Sequence, residues 1–332
     1  MAITNSKQGA HPSAKAEKGT RLPKRNKKGG TSFWTRVWAQ RELLLMVLPG
    51  ILFWIIFRYG PIWGLKVAFQ KYSPFLGDNS PWVGFEHFKR FFGQKDFWDL
   101  VENTLTISIL SFVISFPANI IFALILNEVR QARVKKVYQT ISYLPTFFSI
   151  VIICSLFRQM LSPTTGFVNT ILLNLGIIDK PIYFILESRW YLALYIGSGL
   201  WAGLGSGAII YLSALSGVDT QLYEAAEIDG CSRFKRIIHI TLPSIIPTIV
   251  TMFLLSIGGL VNVGLDKSLL LMEPTTYEVS DVIQTYIYRV GLVQGTNVSY
   301  SSAIGFVQSV ISCLLVITFN KIANVVTDTS LW

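Results

Sequence analysis

Six long apolar stretches, at about 43–69, 99–127, 137–161, 189–215, 243–272 and 300–326, constrain this chain more than any other feature of its sequence. Each has the roughly 20 residues that an α-helix needs to cross a 30 Å hydrocarbon layer. In that layer only helices and closed barrels satisfy every backbone polar group. Charged residues make up 14% of the 332 positions, against about 25% in soluble domains, and mean hydropathy is +0.48. A water-soluble globule is excluded. The expectation is an all-α membrane protein with six transmembrane helices and no internal repeat.

Charge sets the predicted orientation. Residues 1–42 hold ten Lys and Arg, from Lys7 to Arg41, against Glu17 and Glu42. Residues 1–40 read as a disordered basic tail, because they lack an apolar run before Phe33. Such a tail also suits nucleic acid, but its place directly before a membrane span gives the charges a topological role, and no nucleic-acid partner is expected. The 127–136 loop carries Arg130, Arg133, Lys135 and Lys136 against Glu128, whereas 266–289 is acidic. Positive charge stays inside, which places both termini and the second and fourth loops in the cytoplasm. The 273–299 segment reads as a short amphipathic piece lying on the outer surface.

Several chemistries have no residues to carry them. The fragment from Gly264 to Ser268 has Asp266 where a phosphate loop needs its second glycine. His11, His87 and His239 are scattered, and Cys154, Cys231 and Cys313 lack metal-ligand spacing and read as small buried hydrophobes. No catalytic constellation and no bound metal or cofactor is expected. Ion-coupled transporters carry ionisable relays in mid-membrane, and these spans have almost none, so energy must come from elsewhere.

The fourth loop, 219–243, carries the functional signal. Glu224-Ala225-Ala226, then Gly230, then Ile240, Leu242 and Pro243, spell E-A-A-x3-G-x9-I-x-L-P. Asp219 is placed to cap a short helix, Gly230 to end it in a left-handed turn, Ser232 to cap a second helix, and Pro243 to open the next span. Leu222, Tyr223 and Ile228 add apolar contact, and Ala225 and Ala226 have side chains small enough for close approach. The loop resembles the signature loop of permease subunits of ABC importers. The resemblance extends over most of 40–332, through Leu48-Pro49-Gly50, Phe57 to Pro61, Trp82 to Phe88, Asn103-Thr104, Leu126 to Arg130, Ser142 to Pro145, Tyr277 to Asp281 and Ser330 to Trp332. These pieces look like carbohydrate-uptake permeases of the LplB-like, MalF-like type.

That resemblance implies a type I importer permease fold over 41–332, in an inner (cytoplasmic) membrane. It also implies a second related permease, two ATPase subunits that bind ATP and Mg, and an extracytoplasmic solute-binding protein. Leu222, Tyr223, Glu224, Ala225, Ala226, Asp229, Gly230 and Arg233 would couple to the ATPase. The sequence departs from the family at Thr146, after Pro145, and at Asp266-Lys267.

Polar residues recur at helical spacing on three spans: Ser108, Ser111, Ser115 and Asn119; Tyr195, Ser198, Trp201 and Gly205; Gly258, Asn262 and Asp266. Polar groups in a bilayer face partners or water. The serine row suits helix packing, while Asn119, Tyr195, Trp201, Asn262, Asp266 and Lys267 are the pathway candidates. Taken as one continuous helix from Pro243, the fifth span would put Asn262 about 28 Å and Lys267 about 36 Å along its axis. Lys267 would then stand at a wet outer mouth, either as an interfacial anchor whose charge Asp266 offsets or as a cation that attracts a polyanion. The expected substrate is an oligo- or polysaccharide, with a bias toward an acidic, uronate or alginate-like chain. A neutral-sugar or small-solute permease and an ion-coupled secondary transporter are the alternatives.

Overall fold

The computed structural model describes residues 38, 40–295 and 297–327, which form two compact units, 1–62 and 63–332. The predicted tail, apart from Trp38 and Gln40, and the Ser330 to Trp332 ending lie outside the described residues. In the first unit, α1 (Arg41–Trp54) continues into a π-helical turn at Ile55–Tyr59. It buries none of its residues, as befits a helix whose surroundings are apolar.

The second unit contains α2 (Glu86–Phe92), α3 (Phe97–Glu128), α4 (Ala132–Tyr143), α5 (Ile150–Met160), α6 (Phe167–Asn174) and α7 (Ser188–Ser216). It continues with α8 (Thr220–Ile228), α9 (Arg233–Arg236), α10 (Leu242–Ser244), α11 (Ile246–Ile257) and α12 (Leu265–Leu271). The last elements are α13 (Tyr277–Ser280), α14 (Ile283–Tyr288) and α15 (Val298–Thr327). Among the described residues the only β-pairing is an isolated bridge between Gln70 and Trp82.

Among the described residues four runs are long and apolar enough to cross a membrane unbroken: Arg41–Phe69, Phe97–Glu128, Ser188–Ser216 and Val298–Val325. Two bent pairs, Ala132–Phe147 with Ile150–Met160 and Arg233–Ser244 with Ile246–Ile257, bring the total to six if each is one span. The third predicted span is therefore two helices meeting at 100°. Phe148 and Ser149 are extended there, and the Ser149 hydroxyl accepts from the amide of Ile152 to start α5.

The fifth span differs more. It bends by 62° at Ile245, where Pro247 has no N–H to give the carbonyl of Pro243, so the helical ladder is interrupted. It then stops at Ile257. Residues 258–264 make tight turns, with Leu260 N bonded to Ile257 O at 3.0 Å and Asn262 N to Gly259 O at 2.9 Å. Gly258, Asn262 and Asp266 thus share no helix face, and the 28 Å and 36 Å placements along one axis do not apply. Hydropathy registered composition but not the break at Gly258 and Gly259.

The 273–299 segment is not laid on the surface. Ser280 and Val282 are fully buried, and Ile283 packs with Phe91, Leu100, Tyr286 and Tyr300. Of the cysteines only Cys154 is buried; Cys231 is half-buried and Cys313 exposed on α15. A middle cluster joins Ile107, Cys154, Tyr191, Tyr195, Val263 and Leu271. Nearer the far end of α3, Ala123 packs on Ala208, Tyr211, Leu215 and Ile245. Small residues allow α3 and α7 this close approach.

Candidate functional site

The 219–243 loop folds as its residue types dictate. The Asp219 carboxylate accepts from Gln221 N at 2.9 Å and starts α8. Gly230 ends the helix at φ +70°, with Cys231 N bonded to Ala226 O at 2.9 Å and Gly230 N to Glu227 O at 3.1 Å. This pair of reversed bonds is the Schellman termination, which glycine enters without Cβ strain. Ser232 then accepts from Lys235 N to start α9.

The loop's outward face is not the whole set of residues expected to couple. Leu222, Glu224, Ala225, Asp229, Gly230 and Arg233 are exposed, as is Ile228 at 88%. Ala226 is buried and Tyr223 turns inward, its hydroxyl 3.0 Å from that of Thr241. Of the alanine pair, then, only Ala225 is small for the sake of an external surface; Ala226 is small for packing within the chain.

Polar residues converge around the break in the fifth span. A cavity of 220 Å³ is lined by Ser108, Ser111, Tyr195, Gly259 and Asn262 among others, and Asn262 also borders a second cavity of 470 Å³ with Gln284, Gln308, Ser309 and Ser312. Asn262 accepts from the Gln284 amide, and Gln308 donates to Val261 O at 2.7 Å. The hydroxyls of Ser108 and Ser111 and Oε1 of Gln284 are buried without a hydrogen-bond partner among the described residues. Such groups are costly unless something else satisfies them.

Of the six pathway candidates, Tyr195 and Asn262 share this groove. Lys267 joins them indirectly: its ammonium donates to the Tyr195 carbonyl and lies 4.1 Å from the centre of the Tyr195 ring. It is held on α7 and does not reach into water at a mouth. Asn119 packs where a Cβ on Gly207 would stand, Trp201 meets Phe157 edge to face at 6.0 Å, and Asp266 is exposed. None of these three lines the groove.

Residues 115–328 match the family described as binding-protein-dependent transport system inner membrane component. The chain belongs to this family. It is 42% identical over 286 residues to the polygalacturonan/rhamnogalacturonan transport system permease protein YteP of Bacillus subtilis (strain 168), covering 86% of this chain and 88% of that protein. It is 39% identical over 296 residues to protein LplB of the same organism, covering 89% and 92%. A chain in the crystal structure of a bacterial ABC transporter involved in the import of the acidic polysaccharide alginate superposes with a TM-score of 0.81 at 39% identity, covering 89% of this chain and 99% of that one. A second, from a bacterial alginate ABC transporter in complex with an alginate pentasaccharide-bound periplasmic protein, gives 0.82 at 38%, covering 91% and 100%. The fold is that of a type I ABC importer permease, as the resemblance implied.

Several residues that build this inner-membrane component carried no motif. Asn169, 1% exposed, donates to the carbonyls of Leu161, Ser162 and Ile182 and accepts from Ile182 N, closing the 161–182 excursion. Arg158 bonds Leu270 O at 2.7 Å and pairs with Glu273 at 2.6 Å, which ties α5 to the end of α12. Asp281 and Arg289 form a two-pronged ion pair, at 3.1 and 2.5 Å, and this hydrogen bonding raises the guanidinium's pKa above its ordinary value. The pair borders a 540 Å³ cavity with Asp96, Asp99, Glu102 and Glu278, whose carboxylates would repel a polyanion. Gln284 and Gln308 stand on helices whose apolar neighbours dominate the pattern, and only a search for amides inside apolar runs would have singled them out.

Proposed function

We propose that this chain is one of two permease subunits of an ATP-driven importer that carries an oligo- or polysaccharide delivered by a solute-binding protein. The observation that carries the reading is the coupling loop, a helix capped at both ends that presents Glu224, Ala225 and Ile228 outward at the predicted cytoplasmic end of the spans. The permease pair rests on two ATPase subunits that hydrolyse Mg-ATP, one of them seated on that face; this chain supplies no catalytic group. The cytoplasmic placement of both termini follows from the positive-inside rule.

The substrate is an acidic saccharide of the uronate class. The names of the relatives, which transport polygalacturonan or alginate, support this. So does Lys267, a half-buried cation with no ion pair among the described residues, whose charge lies beside the groove through Tyr195. An unpaired ionisable residue is expensive within a membrane protein and marks a functional site. Ser108, Ser111, Asn262 and Gln284 offer hydrogen bonds to sugar hydroxyls.

The test is uptake by the reconstituted complex of this chain with its partner permease, ATPases and binding protein. A uronate oligosaccharide is expected to be taken up in preference to a neutral one of equal length. Uptake of neutral sugars alone removes the acidic-substrate reading and leaves the importer; uptake by this chain alone, without ATPases, removes the importer.

A further inference from the structure

A cavity of 270 Å³ beside the coupling helix shares Tyr223 and Arg233 with the residues expected to couple to the ATPase, but the rest of its lining has no part in the function just proposed. Asn127 and Glu128 at the end of α3 line it, with Arg130, with Tyr223 and Glu227 of α8, and with Arg233 and Arg236 of α9. Arg236 is paired with Glu227 at 3.3 Å. Arg130 and Arg233 are exposed and make no ion pair among the described residues. With Glu227 neutralised, two unpaired guanidiniums face one exposed carboxylate, Glu128, and the hollow is positive.

Its level in the fold says what it faces. Two runs long and apolar enough to be spans end at this cavity, Phe97–Glu128 at its last residue and Arg233–Ser244 at its first, which puts the hollow at their cytoplasmic ends under the orientation proposed above. Phe234, 72% exposed, and Ile238 one turn later lie between and beyond the arginines. Basic residues flanked by exposed apolar ones on a short helical run are the anatomy of a segment seated in the interface. Diffuse positive charge would satisfy the orientation rule; convergence of arginines from a span end and the coupling loop on one concavity goes further. Guanidinium is suited to phosphate because its N–H groups pair with two oxygens at once.

We propose that this cavity binds the phosphodiester of an anionic phospholipid from the cytoplasmic leaflet, bridging the end of α3 to the coupling loop. Free phosphate offers the same chemistry, and a carboxylate of the ATPase partner is the competing occupant. The placement at the cytoplasmic face rests on the orientation proposed above, but lipid selectivity is read separately from transport. The purified complete importer, reconstituted in mixed phosphatidylglycerol and phosphatidylcholine and then delipidated, is examined by native mass spectrometry for retained lipid, and sugar-stimulated ATP hydrolysis is measured on the same samples. The wild type is expected to keep phosphatidylglycerol. Arg130→Gln should lose it several-fold, with phosphatidylcholine adducts unchanged, and Arg130→Lys should recover part of it. Equal retention in wild type and Arg130→Gln overturns the proposal, whatever the hydrolysis rate. Displacement of the retained lipid by millimolar inorganic phosphate assigns a soluble-anion site instead, and a disulfide between a cysteine at position 130 and the ATPase, with lipid retention unaffected, assigns the cavity to that partner.

Discussion

The ammonium of Lys267 is bonded to the main-chain carbonyl of Tyr195 and rests against the ring of the same residue. Gly199, one turn along α7, makes this possible: a Cβ there would stand 2.5 Å from the Lys267 nitrogen. The carbonyl of Tyr195 also accepts from the Ser198 hydroxyl at 3.1 Å. A backbone oxygen within a helix thus takes side-chain donors from its own helix and from α12.

Gly199→Ala should displace the lysine without unfolding the chain, since the obstructed atom is the far end of a flexible side chain. Lys267→Gln removes the charge outright. Both are expected to lower the ratio of uronate to neutral oligosaccharide uptake, and Lys267→Arg to preserve it. An unchanged ratio in Lys267→Gln would take the lysine out of substrate choice.

Gly230 has nothing within 4 Å of where a Cβ would be, so a substitution there meets backbone strain alone. Gly230→Val should cost about 1–2 kcal/mol at φ +70°. The subunit should still insert, while sugar-stimulated ATP hydrolysis of the complex falls. Gly230→Asn, which tolerates the left-handed region, should retain most of it. Equal loss in both variants would point to steric contact with the ATPase in place of strain.

Asn169 closes four hydrogen bonds in a buried position. Asn169→Leu takes this partner from the carbonyls of Leu161 and Ile182 and from Ile182 N, while Ser162 O keeps Gly166 N, and should destabilise the chain by about 1–3 kcal/mol. The measurement is thermal unfolding in detergent, where the melting temperature of the variant should fall.

Gln308→Leu withdraws the donor that satisfies Val261 O at the break in the fifth span. An orphaned carbonyl away from water should again cost about 1–3 kcal/mol. Here uptake should fall as well, because the same side chain borders the groove. A variant with wild-type stability and uptake would show that another donor reaches the carbonyl.

The Arg289 pKa is raised, chiefly by its hydrogen bond to Asp281 and then by the carboxylate's charge. A group whose folded value is raised contributes stability that is fully present below its unfolded value, and the contribution disappears as pH climbs through the folded one. For an arginine both lie beyond about pH 12. Stability lost on Asp281→Asn should therefore be the same at about pH 7 and pH 9, which unfolding curves at the two values would check.

The apolar runs, the capped helix of the 219–243 loop and the family were all legible in the sequence because each leaves a local pattern. Apolar length marks a span, and Asp219, Gly230 and Ser232 mark helix ends whatever surrounds them. The inward turn of Tyr223 and Ala226 was hidden, since which side of α8 meets the chain depends on Thr241 and on the path of the following span. The groove was half visible. Asn262 and Tyr195 stood out as polar residues in apolar runs, but a window of mean hydropathy does not register the stop at Ile257. Lys267 was displaced from its expected place by that same stop, and Gln284 by the expectation that 273–299 lies on the surface.

Interruption of the fifth span at residues 258–264 has a mechanical consequence. The half that begins at Arg233 is covalently continuous with the coupling loop, whereas the half beyond Gly264 is moored to other helices by Arg158 and Lys267. A rigid rod would carry any thrust on the loop straight through to the moored end. A jointed one turns thrust into a change of angle at the joint, and the joint is made of the atoms that wall the groove, Gly259 and Asn262 among them. In the importer proposed here, torque arriving from the ATPase side would reshape the wall that Gly259 and Asn262 give the groove, and the far half, held by Arg158 and Lys267, would stay still.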